Sequence, residues 1–113
     1  MAVDDYLSFF SRATGRAGTL GPTPHAWQSE LAAYDVCKDR LIRIPTGFGK
    51  TAGIVLAWLF RRVAHADPRW PVRLVFTLPM RTLVEQTQRE VASWLDQLGL
   101  AAEVDVHLVM GGM

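Results

Sequence analysis

Residues 45–51 have the types and spacing that bind nucleotide phosphates. They read Pro-Thr-Gly-Phe-Gly-Lys-Thr and lie between a short apolar segment and a longer amphipathic one. Gly47 and Gly49 allow the backbone to turn tightly and to direct N–H groups at phosphate oxygens. Lys50 would add a positive charge at the β- and γ-phosphates, and the Thr51 hydroxyl would bind Mg²⁺ at a helix start that itself favours anions. We predict an ATP site formed by these residues: Thr46, Gly47, Phe48, Gly49, Lys50 and Thr51.

This segment departs from the strict phosphate-loop pattern at one position. Ile44 stands where that pattern has its first glycine. The departure disfavours a nucleotide kinase or a G protein and favours the shorter variant Pro-Thr-Gly-x-Gly-Lys-Thr. A glycine-rich turn with a solvated lysine would produce the same residues without binding a ligand. The strand expected before the segment and the helix expected after it favour the phosphate site.

Gln28 is a second candidate contact to the nucleotide, and it lies twenty-two residues before Lys50. A carboxamide donates and accepts hydrogen bonds together, so it can pair with N6 and N7 of adenine and distinguish adenine from guanine. A surface glutamine on a helix is also common without a ligand. The neighbouring Trp27 has the spacing of a core residue with Leu31 and Tyr34, so we expect it in the core rather than beside the base.

Helices are predicted on both sides of the phosphate-binding residues. Apolar residues recur at helical spacing in three segments: residues 2–13, 50–64 and 81–98. A further short helix is expected to begin at Pro24, with Thr23 as its N-cap, and to end near Tyr34. Gly99 is expected to end the helix over residues 81–98.

Strands are predicted between these helices. Residues 41–44 and 72–78 are short apolar runs, and residues 103–110 alternate between apolar and polar side chains. Strands that alternate with helices are typical of a parallel sheet with right-handed crossovers. The predicted fold class is therefore α/β, a parallel sheet flanked by helices.

The composition indicates a compact chain without a strongly basic arm or a highly acidic tail. Half of the 113 residues are apolar, and twelve basic residues stand against eleven acidic ones. This balance excludes a basic nucleic-acid-binding arm, so any contact with nucleic acid must be local. Cys37 is the single cysteine and the three histidines are isolated in sequence, so neither a disulfide nor a protein-held metal site is expected. No apolar run is long enough to cross a membrane. Because a single cysteine suits a reducing environment, we expect a cytoplasmic protein.

The glutamine, the phosphate-binding residues and two later segments resemble superfamily 2 helicases. Their order over residues 24–112 is similar to that of the helicase motifs, and the sequence around Pro79 and the Val-Met-Gly-Gly ending look most like the helicase-nuclease of type I CRISPR systems. The resemblance implies a RecA-like domain that binds ATP and Mg²⁺ and moves along single-stranded DNA, with RNA as an alternative strand. It also implies recruitment by a CRISPR surveillance complex.

The resemblance assigns strand-binding residues as well. Residues 78–86 resemble helicase motif Ia, in which the loop and helix start hold the backbone of the strand, and Pro79 and Arg81 stand at the matching positions. Backbone N–H groups at a helix start together with one guanidinium can bind phosphates without sequence preference. Gly111 and Gly112 match a double glycine that lets a nucleic-acid backbone approach closely. A plain strand-to-helix turn and an ordinary frayed end are the alternatives for these two segments.

Further helicase motifs are expected beyond the sequence given. We expect residues 1–22 to form a leading helix and loop, and residues 23–113 to form the N-terminal half of the first RecA-like domain, cut after its third strand. The acidic pair that holds Mg²⁺ and positions water is not found in residues 1–113. We therefore predict ATP binding without hydrolysis by this polypeptide alone, a need for the remainder of the helicase chain, and marginal stability from unpaired strand edges.

Two alternative functions are compatible with the same residues. A phosphoryl-transfer kinase or an ATP-dependent ligase would need a similar phosphate-binding segment. A non-enzymatic remnant or interaction module would keep the segment without using it.

Overall fold

The computed structural model describes residues 3–15, 19–44 and 49–109, and the regular structure in these ranges is helical. It comprises four α-helices and one π-helical segment: α1 (Val3–Thr14), α2 (Ala26–Ala33), α3 (Lys50–Trp58), the π-helical segment (Leu59–Ala64) and α4 (Arg81–Leu98). The π-helical segment continues α3 without a break. The predicted helices over residues 2–13, 50–64 and 81–98 are therefore confirmed, with α1 displaced by one residue.

α1 supplies much of the aromatic core because its apolar residues share one face. Tyr6, Phe9, Phe10 and Ala13 follow the spacing i, i+3, i+4, i+7, and all four are buried. The Tyr6 and Phe9 rings meet the ring of Phe60 at centroid separations of 5.1 and 5.3 Å. Tilted contacts of this kind add to the stabilisation from buried area. They join α1 to the π-helical segment that continues α3.

α4 packs mainly on α1 and ends where the sequence predicts. Trp94 and Leu95 are its buried residues. Gly99 has φ 70°, in the left-handed region, and the N–H of Leu100 donates to the carbonyl of Leu95 at 2.8 Å. This is the hydrogen bond of a glycine-ended helix, so the predicted stop at Gly99 is confirmed. The Gln97 side chain also donates to a carbonyl just beyond α1, 3.1 Å away.

α2 begins two residues later than the sequence predicts. Its N-cap is His25 rather than Thr23, and Ala26 rather than Pro24 is its first residue. The side-chain oxygen of Gln28, three residues into the turn, accepts a hydrogen bond from the backbone N–H of His25 at 2.7 Å. This return contact from the third helical position stabilises a helix start at His25, which explains the displacement.

The predicted α/β fold, a partial RecA-like parallel sheet, is wrong for this structure. Throughout the described ranges, no segment is paired as a strand. The three predicted strands instead run as irregular chain over residues 41–44 and 72–78 and over residues 104–109, with Met110 outside the described residues. The expected architecture of helices around a sheet is replaced by helices packed on helices.

The exposure of the three segments gives the physical reason. Leu41, Val75 and Val109 are 80, 83 and 86% exposed, although the predicted parallel sheet would have buried such side chains. A preference for strands expresses how well a side chain fits a pleated surface, and that surface exists only when neighbouring strands pair. An α-helix forms its backbone hydrogen bonds between residues four positions apart, so it needs no distant partner. Apolar patterns therefore locate helices reliably, but they do not supply partners for strands.

A buried charge network joins α2 to the π-helical segment. Arg61 is 2% exposed, and its Nε donates to the carbonyl of Ala32 in the last turn of α2 at 2.6 Å. Its Nη1 lies 3.2 Å from Oδ2 of Asp67, and its Nη2 lies 3.8 Å from Oδ1 of Asp35. Arg69 donates to Asp67 from its backbone and its guanidinium. The network thus fixes the C-terminal end of α2 against the segment that follows α3.

Candidate functional site

The described part of the phosphate-binding segment is its last glycine and the start of α3. Gly49 is the N-cap of α3, with φ 74° and ψ 42°, a left-handed conformation that favours glycine. Lys50 and Thr51 are the first two residues of the helix. The other predicted contacts of the segment lie outside the described residues: Thr46, Gly47 and Phe48.

The side chains at the start of α3 are without polar partners among the described residues. Lys50 is exposed and Thr51 is half-buried. Within the described ranges, neither side chain forms a hydrogen bond or an ion pair. The first N–H groups of a helix have no partner within the helix, and they carry the positive end of its dipole. An ammonium group beside these N–H groups fits an anion such as a nucleotide phosphate.

Gln28 lies directly against this helix start. Its side chain is 1% exposed, and its Nε2 donates to the carbonyl of Gly49 at 2.9 Å. Its Oε1 accepts from the backbone of His25, so both ends of the carboxamide are engaged. The structure therefore brings together Gln28 and Gly49, which are twenty-one positions apart in sequence.

The adenine contact of Gln28 stays a prediction. A carboxamide has a second N–H and a second lone pair, so its capacity is not exhausted by the bonds to Gly49 and His25. Its 1% exposure means that a base could reach it only if the start of α2 opened. What the structure adds is a second role for the same side chain, which is to hold the end of the phosphate-binding segment.

The predicted strand-binding residues lie on a different helix. Pro79 is exposed just before α4, and Arg81 is the exposed first residue of α4, after the extended N-cap Met80. The Arg81 guanidinium has no hydrogen-bond or ion-pair partner among the residues that the structure describes. Its role in binding nucleic acid stays a prediction. Gly111 and Gly112 lie outside the described residues.

A metal held by protein side chains finds no support in the described ranges. There, no group of three or more His, Cys, Asp or Glu side chains lies close enough to hold an ion. The predicted role of Thr51 as a ligand of nucleotide-bound Mg²⁺ needs no such group and stays a prediction. In the same ranges, none of the helices combines the length and apolar character required to span a membrane.

The sequence analysis did not predict the contact between Trp27 and Gly53 near the site. Trp27 was expected in the core, and it is half-buried where α2 meets α3. Gly53 is buried in α3 at that contact, one turn after Gly49. A glycine inside a helix is unfavourable, so its presence was the available signal of a close approach.

Comparison with protein families places most of the chain in a known family. The family model for the DEAD/DEAH box helicase matches residues 25–113, which begin at the N-cap of α2 and include Gln28, the phosphate-binding segment and α4. No curated protein and no solved structure matched the chain.

Proposed function

Since the chain belongs to the DEAD/DEAH box helicase family, we propose that it binds ATP with Mg²⁺ as part of an ATP-dependent superfamily 2 helicase. One observation carries the proposal: an exposed Lys50 follows a left-handed Gly49 at the start of α3, and Gln28 holds that glycine from α2. The ammonium group of Lys50 and the N–H groups at the start of α3 suit phosphate oxygens. When bound, Mg²⁺ would shield the charge of the phosphates, and the Thr51 hydroxyl is the described group suited to hold it.

The nucleotide proposal is tested by equilibrium titration with a fluorescent ATP analogue in the presence of Mg²⁺. We expect saturable binding that unlabelled ATP competes away. Weaker competition by GTP would support the separate prediction that Gln28 contacts adenine, because a carboxamide can distinguish adenine from guanine. Absence of saturable binding would overturn the proposal. The family match gives no support to a kinase or ligase, which are the alternatives that use the same segment.

We further propose that the substrate is single-stranded DNA, bound with the help of Pro79 and Arg81. Two facts support this proposal: the exposed guanidinium of Arg81, and its position at an α4 start whose N-cap Met80 makes no side-chain cap. Recruitment by a CRISPR surveillance complex rests on the sequence resemblance around Pro79. Co-purification of the chain with such a complex would test that partner, and failure to co-purify would count against it.

The Arg81→Ala variant tests the strand-binding proposal. Loss of one phosphate contact should weaken binding to a labelled oligothymidylate and lower the slope of log affinity against log salt by about one. Nucleotide affinity should not change. Arg89→Ala is the matched control, because Arg89 is an exposed arginine on the same helix. Equal effects of the two substitutions on strand binding would contradict a specific role for Arg81.

A further inference from the structure

The approach of α2 to α3 depends on a glycine in an unfavourable place. Gly53 is buried in the interior of α3. A Cβ atom built on Gly53 would lie 2.9 Å from Cγ of Gln28 and 2.9 Å from Cζ2 of Trp27, and closer still to Cη2 of Trp27. Contacts this short do not occur with real side chains, so α2 lies at a distance that only glycine permits.

The short distance between α2 and α3 also allows the Gln28 side chain to contact Gly49. The carbonyl of Gly49 accepts a hydrogen bond from Gln28 Nε2 at 2.9 Å and a second one from the backbone N–H of Gly53 at 2.8 Å. A shift of α2 away from α3 would lengthen the first bond. The second bond belongs to α3 itself and would persist.

The orientation of that carbonyl decides where the next N–H points. In a planar trans peptide, the C=O of Gly49 and the N–H of Lys50 point in opposite directions. Two donors that hold the carbonyl therefore also direct the N–H of Lys50 away from α2 and out of the helix start. That N–H is among those that would face a phosphate group.

We propose that Trp27 and Gly53 are positioning residues for phosphate binding. The indole ring of Trp27 packs against the bare backbone of Gly53 and sets the spacing at which Gln28 holds Gly49. This inference rests on the proposed binding of ATP. It assigns a role to two residues that would not touch the nucleotide.

The Gly53→Ala substitution tests the inference. The added methyl group would push the rigid Trp27 ring and α2 outward, and the Gln28 bond would be strained or lost. We expect about tenfold weaker binding of the fluorescent ATP analogue, the usual effect of one lost hydrogen bond. Alanine is a better helix former than glycine, so circular dichroism should still show a folded helical chain.

Gly21→Ala is the matched control. A Cβ atom on Gly21 would be at least as crowded, 2.5 Å from the backbone C and from Oγ1 of Thr14 and 2.7 Å from the N of Gly15, but against the end of α1 rather than between α2 and α3. Its ATP affinity should stay at the wild-type value. If Gly21→Ala lost affinity as much as Gly53→Ala, the effect would be general destabilisation, and the inference would be overturned.

A second substitution that relieves the clash between the added methyl group and Trp27 provides the decisive comparison. Trp27→Phe removes the outer ring atoms that face Gly53, so the double variant Trp27→Phe/Gly53→Ala should recover most of the affinity. Unchanged affinity in Gly53→Ala, or no recovery in the double variant, would overturn the inference. If Gly53→Ala does not fold, the double variant decides alone, because its affinity must approach wild type. If the wild-type chain binds no nucleotide, it is the proposed function that has failed.

Discussion

At the scale of single residues, the candidate site consists of side chains that the sequence predicts and contacts that it does not predict. Lys50, Thr51 and Gln28 were recognisable because their chemistry suits a nucleotide and their spacing is informative. The engagement of Gln28 with Gly49 depends on how two helices approach each other. No short sequence pattern predicts how closely the two helices approach, although the glycine within α3 is an indication of it.

A buried hydroxyl leads to a prediction at this scale. The hydroxyl of Tyr6 is buried and has no hydrogen-bond partner among the described residues, and burial raises the pKa of its phenol. Tyr6→Phe should therefore raise the free energy of unfolding by about 1–3 kcal/mol, the usual cost of an unsatisfied buried polar group. Urea unfolding measures the change.

Tyr34→Phe is the control for that measurement. The Tyr34 hydroxyl lies in an exposed contact with Glu30, at 3.1 Å from its Oε1, so its loss should change stability little. A Tyr6→Phe variant that is less stable than the wild type would mean that the hydroxyl is satisfied after all.

At the scale of elements, the helices were predictable and the strands were not. The helix over residues 2–13 and the glycine after α4 can be recognised from a few adjacent residues, and both predictions are confirmed. The π-helical continuation of α3 left no sign in the sequence. It carries Arg61, whose guanidinium reaches the carbonyl of Ala32 and so fixes α2, the helix on which Gln28 lies.

The charge network around Asp67 leads to a prediction about pH. Hydrogen bonds from Arg69, together with the nearby charge of Arg61, lower the pKa of the Asp67 carboxyl below its ordinary value of 3.8. A lowered pKa in the folded state contributes stability that is present above the ordinary value and is lost as the pH falls through the folded value. The chain should therefore lose stability from this group below about pH 4.

Asp67→Asn isolates that contribution. The variant should melt several degrees below wild type at pH 7, because Arg61 and Arg69 lose their anionic partner. The difference in melting temperature should narrow as the pH falls below 3.8. A difference that stays constant down to pH 2 would show that the charge of Asp67 does not matter.

At the scale of the whole molecule, family and fold were not equally predictable. The order of motifs correctly indicated a superfamily 2 helicase, as the match over residues 25–113 shows. The parallel sheet expected from that family does not form in the described residues, since its three segments lie exposed without strand partners. A motif is recognised from residues that are close in sequence, whereas sheet formation requires pairing between segments far apart in the chain.

Helix packing nevertheless positions the residues of the candidate site. α2 and α3 pack against each other, α1 packs on α4, and the aromatic cluster around Phe60 joins the two pairs. α1 lies outside the residues matched by the family and still contributes Tyr6, Phe9 and Phe10 to the core. The position of Lys50 therefore depends on the α2–α3 contact, and the stability of that contact depends on the shared core.

Nucleotide titration of two lysine variants tests the central claim most directly, since Lys38 and Lys50 are the two lysines of the chain and both are exposed. If Lys50 binds the phosphates of ATP, Lys50→Ala should weaken binding of the fluorescent analogue by about ten- to a hundredfold, as expected for a lost charged hydrogen bond. Lys38→Ala should bind as the wild type does. Equal affinity in the two variants would contradict the claim that this chain binds ATP at the start of α3.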